Sequence, residues 1–87
     1  MAVTSHRQIQ ILHVDDEPDF ADLTGAFLER EDDRFTVETA TSAEEGLDEI
    51  TDCQPDCVVS DYNMPGMDGL EFLQAVREDN PDLPFIL

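Results

Sequence analysis

Four short apolar runs alternate along this chain with three stretches of helical periodicity, joined by connections of only a few residues. Residues 9–14, "IQILHV", have the apolar and β-branched character of a strand covered on both faces. "RFTVETA" (34–40) alternates as a second strand, "DCVVSD" (56–61) is a third, and "PFIL" (84–87) opens a fourth. Phe20, Leu23, Phe27 and Leu28 recur at helical spacing and predict a first amphipathic helix over about residues 18–30. Pro18 with its acidic neighbours suits the first turn, because proline has no N–H to lose there and carboxylates favour the positive end of the helix dipole. Ser42 with Glu45 predicts a capping box for a second helix lined by Ala43, Leu47 and Ile50. Leu70, Phe72, Leu73 and Val76 mark a third helix, closed by "NPDLP". Strands that alternate with helices in this way predict an α/β fold: a doubly wound parallel sheet with helices on both faces.

Such sheets bind ligands at the carboxyl ends of their strands. Asp15 and Asp16 end the first strand and Asp61 ends the third, with turn residues directly after it in "DYNMPGMDG". That shared position sets these aspartates apart in a very acidic chain. Twenty-two acidic residues face four basic ones, for a net charge of −18. The basic residues are Arg7, Arg30, Arg34 and Arg77, and there is no lysine. A surface of this sign repels nucleic-acid phosphates and anionic membranes, so neither is expected as a direct partner. It also repels itself, and screening at about 1 M salt, where the Debye length is about 3 Å, removes most of that repulsion. A salt-loving host, expected to be a halophilic archaeon, accounts for the charge, and most carboxylates then form a solvated face.

The length of 87 residues allows one domain. No apolar stretch approaches the roughly 20 residues of a membrane span, and "MAVTSHRQIQ" lacks the order of a secretory signal. The expectation is a soluble, cytoplasmic protein with residues 1–8 as a loose lead-in. Cys53 and Cys57 stand without the further ligands a zinc site needs, and Cys57 reads as a small buried strand residue. His6 and His13 carry no phosphoryl-donor context, and Met64 and Met67 simply flank the turn.

Aspartates converging on one rim repel. Two unit charges about 5 Å apart at an effective dielectric of 20 cost about 3 kcal/mol. Such a site protonates, stays open to water or binds a cation. A few hard oxygen ligands beside an open cleft suit Mg²⁺, which keeps several waters and pairs with phosphate. A calcium loop is excluded, since Pro65 falls at its fifth position and Phe72 at its twelfth, where a bidentate glutamate belongs. A carboxylate beside Mg²⁺ can also attack phosphorus, because the metal offsets repulsion between nucleophile and donor.

"HVDDEP", "VVSDYNMPGMDG" and the later "LPFIL" together resemble the receiver domain of two-component response regulators, over essentially the whole chain. The resemblance implies a flavodoxin-like fold with strand order 2-1-3-4, of which a (βα)₃β portion is present and the fifth strand is missing. It implies that Asp61 accepts a phosphoryl group from a histidine kinase. It also implies that Asp16 and Asp61 ligate Mg²⁺ through side chains and Asn63 through its carbonyl, with Asp15 holding metal-bound water. Pro65 and Gly66 would shape the turn, and Asp68-Gly69 would start the third helix. The module would be a signalling phosphoacceptor rather than an enzyme, catalysing at most its own phosphorylation and dephosphorylation. The pattern departs from the family beyond "PFIL": the Ser/Thr after the fourth strand and the Lys after the fifth have no counterpart. The 87 residues are therefore expected to be the N-terminal part, an incomplete receiver domain over 1–87, of a longer protein. Self-association through the uncovered sheet face or the fourth-strand edge is expected of such a piece. The alternatives are a degenerate receiver that acts only as a protein-interaction domain, and a Mg²⁺-dependent phosphotransferase or phosphatase. The latter would want an acid/base residue where Asn63 stands.

Overall fold

The computed structural model describes residues 8–87, so His6 and Arg7 lie outside the described residues. The elements are β1 (Ile9–Val14), α1 (Pro18–Glu31), β2 (Phe35–Ala40), α2 (Ala43–Cys53), β3 (Cys57–Ser60), α3 (Gly69–Asp79) and β4 (Phe85–Ile86). All strand pairs are parallel, in the order β2-β1-β3-β4. This is the α/β, flavodoxin-like receiver arrangement expected. Gln8, the last residue of the expected lead-in, accepts a hydrogen bond from the Thr36 hydroxyl at 2.8 Å.

Right-handed crossovers place α1 on one face and α2 with α3 on the other, because β2 lies to one side of β1 while β3 and β4 lie to the other. The α2–α3 face holds the core: Leu12, Val14, Ala40, Ala43, Ile50, Val58, Met64, Phe72 and Val76 form one buried cluster. Phe72 stacks edge-on against Phe85, ring centroids 5.2 Å apart, and so seats β4.

Two elements depart from expectation. The stripe Phe20, Leu23 and Phe27 does not face the sheet; α1 buries Ala21 and Gly25 instead, with Leu28 half-buried. Small residues let the helix lie close to β2, where a Cβ on Gly25 would stand 3.3 Å from Val37 Cγ1. The capping box at Ser42 is only half formed. The Ser42 hydroxyl accepts from Glu45 N–H at 3.1 Å, but Glu45 reaches Thr41 N–H at 2.6 Å rather than the cap residue. The reciprocal box is at α3, where the Asp68 carboxylate accepts from Glu71 N–H and Glu71 Oε1 from Asp68 N–H. α2 ends at Gln54, held at φ +50 with its N–H on the Ile50 carbonyl.

Candidate functional site

The β1–β3 register pairs Val14 with Ser60, so Asp15 and Asp61, each one residue further on, leave the sheet side by side. The ladder continues into both: Asp15 N–H donates to the Ala40 carbonyl at 3.0 Å and Asp61 N–H to the Val14 carbonyl at 2.8 Å. Backbone pairing thus mounts the two carboxylates on adjacent, hydrogen-bonded strand ends. Asp15, Asp16 and Asp61 each offer an oxygen, and these atoms lie within 4.8 Å of one another. Asp15 is buried at 6% exposure, while Asp16 and Asp61 are half-buried. The expected convergence is therefore present.

Among the described residues, few groups are seen to offset that charge. One Asp15 oxygen accepts from Glu17 N–H at 3.0 Å. Arg34 is paired with Asp32 at 2.7 Å, and Arg77 donates to the Asn80 and Leu83 carbonyls. The Asp32 carboxylate holds the Arg34 guanidinium above its ordinary pKa, through their hydrogen bonds first and their charges second. Hard oxygen donors, half-open to solvent, fit a divalent ion that retains water.

The loop after Asp61 is held by residues that sequence reasoning assigned other roles or none. Ser60 Oγ donates to the Asp61 carbonyl at 2.9 Å, and Gly69 N–H donates to the Tyr62 carbonyl at 2.8 Å. A Cβ on Gly69 would stand 2.5 Å from the Asp61 carbonyl oxygen and 2.9 Å from Tyr62 Cα, so a side chain there would push the acceptor strand's end aside. Gly69 was expected only to start a helix; the "DG" spacing after the turn is its sole sequence signal. Met64 is buried in the core and Met67 packs against it, pinning the loop from inside. Asn63, Pro65 and Gly66 lie exposed, and Gly66 takes φ +78, a conformation glycine adopts without strain.

Three other titratable groups lie apart from the cluster's carboxylates. His13 is buried on the α1 face with Nδ1 lacking a partner among the described residues. Cys57 is half-buried rather than buried, and desolvation followed by the Asp56 charge raises its thiol pKa. Cys53 is exposed and donates to Glu49 Oε2 at 3.3 Å, a bond that raises its thiol pKa.

The chain matches the family described as "Response regulator receiver domain" over residues 11–87. It is 45% identical over 71 residues to response regulator Rre1 of Synechocystis sp., which covers 82% of this chain and 30% of that protein. The structure of response regulator protein TrrA from Thermotoga maritima, in complex with Mg²⁺-BeF, superposes with a TM-score of 0.85 at 35% identity. That match covers 92% of this chain and 68% of TrrA. TrrA bound to histidine kinase ThkA gives a TM-score of 0.81 at 33% identity, covering 90% of this chain and 66% of that one.

Proposed function

This chain belongs to the response regulator receiver domain family of two-component systems, and on that premise we propose that it takes a phosphoryl group from a histidine kinase onto Asp61. The observation that carries the reading is the convergence of Asp15, Asp16 and Asp61 at the carboxyl rim of the sheet. The complexes of TrrA with Mg²⁺-BeF and with ThkA support the cation and the kinase as partners. Asp16 and Asp61 would hold Mg²⁺ with their side chains and Asn63 with its carbonyl, while Asp15 would hold a metal-bound water. Mg²⁺ supplies charge neutralisation between an anionic nucleophile and an anionic donor.

The chain's own residues do the rest. An Asp61 oxygen attacks phosphorus of a phosphohistidine as the P–N bond breaks; the bonding pair stays on the imidazole nitrogen, and the ring, protonated on its other nitrogen, leaves as neutral imidazole. Ser60, Gly69 and the β1 ladder fix the Asp61 backbone so that its carboxylate approaches in one orientation. Pro65 and Gly66 turn the exposed loop back toward α3. The product is an acyl phosphate on the protein, a signalling state rather than enzymatic turnover. We place this chemistry in the cytoplasm; among the described residues no helix is long and apolar enough to cross a membrane. We attribute the charge of −18 to a high-salt environment.

Incubation with a small acyl phosphate tests the assignment. The protein should gain one hydroxylamine-labile phosphoryl group in MgCl₂, visible by intact mass, and none after chelation. Asp61→Asn should gain none. Labelling of Asp61→Asn at the wild-type level would mean another residue is the acceptor. A second reading, a module acting by contact alone, is favoured by the exposed Phe20, Leu23 and Phe27. It requires kinase binding to be indifferent to Asp61 phosphorylation.

A further inference from the structure

A groove runs between α2 and α3 on the side of the molecule away from α1. Leu47, Ile50, Ala75 and Val76 line it together with the polar Thr51 and Asn80, and Glu78 and Asp79 stand on its α3 edge. A hollow of about 300 Å³ along the helices shares Ile50 and Asp79 with a second of about 410 Å³ at their C-terminal ends. Ile50 and Val76 are buried, Leu47 and Ala75 half-buried, and both edge carboxylates exposed. The small side chain of Ala75 opens the gap. From Leu47 to the Gln54 cap, seven residue steps along α2, the groove runs about 10 Å, enough for two turns of another helix.

The electrostatics narrow the occupant. Both helices point their negative dipole ends at the larger hollow, and the last turn of α2 contains no basic residue. Arg77, in the last turn of α3, is committed to the Asn80 and Leu83 carbonyls at 3.1 and 2.6 Å. The groove is thus partly apolar at its base and acidic at its α3 edge, with Arg77 compensating the α3 end and no basic residue in the last turn of α2. A second copy of this chain is a poor match, because it carries −18 and its described arginines include the already engaged Arg34 and Arg77.

We propose that the α2–α3 groove docks a short basic amphipathic helix of another protein, with leucine-type anchors on the floor and Arg or Lys against Glu78, Asp79 and the α2 C-terminus. This is helix-in-groove recognition, in which apolar anchors at i, i+3 and i+7 give affinity and flanking charges give orientation. The groove lies at the opposite end of the helices from Asp61, so docking leaves the carboxylate cluster open.

The test titrates a fluorescein-labelled peptide with leucine at i, i+3 and i+7 and arginine on the flanks, at about 0.15 M salt. Its controls are a peptide of the same composition with the leucines scattered, and spermine as a cation without an apolar face. The patterned peptide should bind about tenfold more tightly than the scattered one, and Glu78→Lys with Asp79→Lys should weaken it about tenfold. Ala75→Tyr should block it, and the exposed charge reversal keeps the test decisive if that variant fails to fold. Leu23→Ser with Phe27→Ser on α1 should change nothing. Equal binding of the scattered peptide, equal competition by spermine, indifference to the charge reversal, or loss in the α1 variant would each overturn the proposal.

Discussion

On the face of the sheet that carries α2 and α3, Phe72, Leu12, Val14, Val58 and Val76 are all within 1% of complete burial, whereas Phe20, Leu23 and Phe27 on α1 keep 57%, 68% and 60% exposure. The same strands back both faces. One is closed by large side chains that interlock, the other by Ala21 and Gly25, which bring the helix close and leave its larger residues outside. The second face also carries a buried defect, the Nδ1 of His13, which has no partner among the described residues. A helix can therefore satisfy helical periodicity twice: α1 has one stripe of small residues against β2 and another of large ones in solvent. Periodicity reveals that stripes exist, not which of them is covered.

Truncating Phe72 should give the widest separation between the faces. Phe72→Ala should lose about 3–5 kcal/mol, a large part of the stability of a small domain. Part of that loss is the contact that seats β4. Phe27→Ala should stay within about 0.5 kcal/mol, as solvent-facing substitutions do. Urea denaturation of the two variants measures both, and losses of similar size would show that the α1 stripe is covered after all.

Salt sharpens the comparison next. Between about 0.1 and 2 M KCl the Debye length falls from about 10 Å to below 3 Å, and repulsion within a chain of −18 is removed. The thermal midpoint should rise by about 4–8 °C, equivalent to about 1 kcal/mol at this size. With repulsion between copies also screened, light scattering should detect association through the α1 stripe, which Leu23→Ser with Phe27→Ser should prevent. A flat midpoint would remove the salt-loving reading. Association that survives the double substitution would move the contact to the β4 edge.

The smallest effect concerns His13. Leaving a buried nitrogen unsatisfied costs about 1–3 kcal/mol, so His13→Leu, similar in volume, should stabilise by about 1 kcal/mol after repacking losses. Thermal denaturation reads this directly, and destabilisation would mean that Nδ1 has a partner in solution.

The strands were legible in "IQILHV", "RFTVETA" and "DCVVSD" because β-branched and apolar runs bounded by turns are local signals, and each forms within a residue of the expected ends. The strand order 2-1-3-4 followed from the motif resemblance, not from the runs themselves. Asp15, Asp16 and Asp61 could be grouped from the sequence, since in a parallel sheet the ends of the first and third strands share one rim. The reciprocal box forms at Asp68–Glu71, where none was expected, while Ser42–Glu45, where one was expected, has the same spacing and closes differently.

By itself, then, the sequence determined the alternation of strands and helices, the acidic surface and the chemical kind of the rim. The tertiary structure decided which stripe of α1 was buried, that Gly69 must lack a side chain beneath the Asp61 carbonyl, and that Ala75 leaves a groove between α2 and α3. Secondary structure answers to neighbours three or four residues away, whereas burial, close approach and open space depend on elements tens of residues distant, brought together only when the sheet closes.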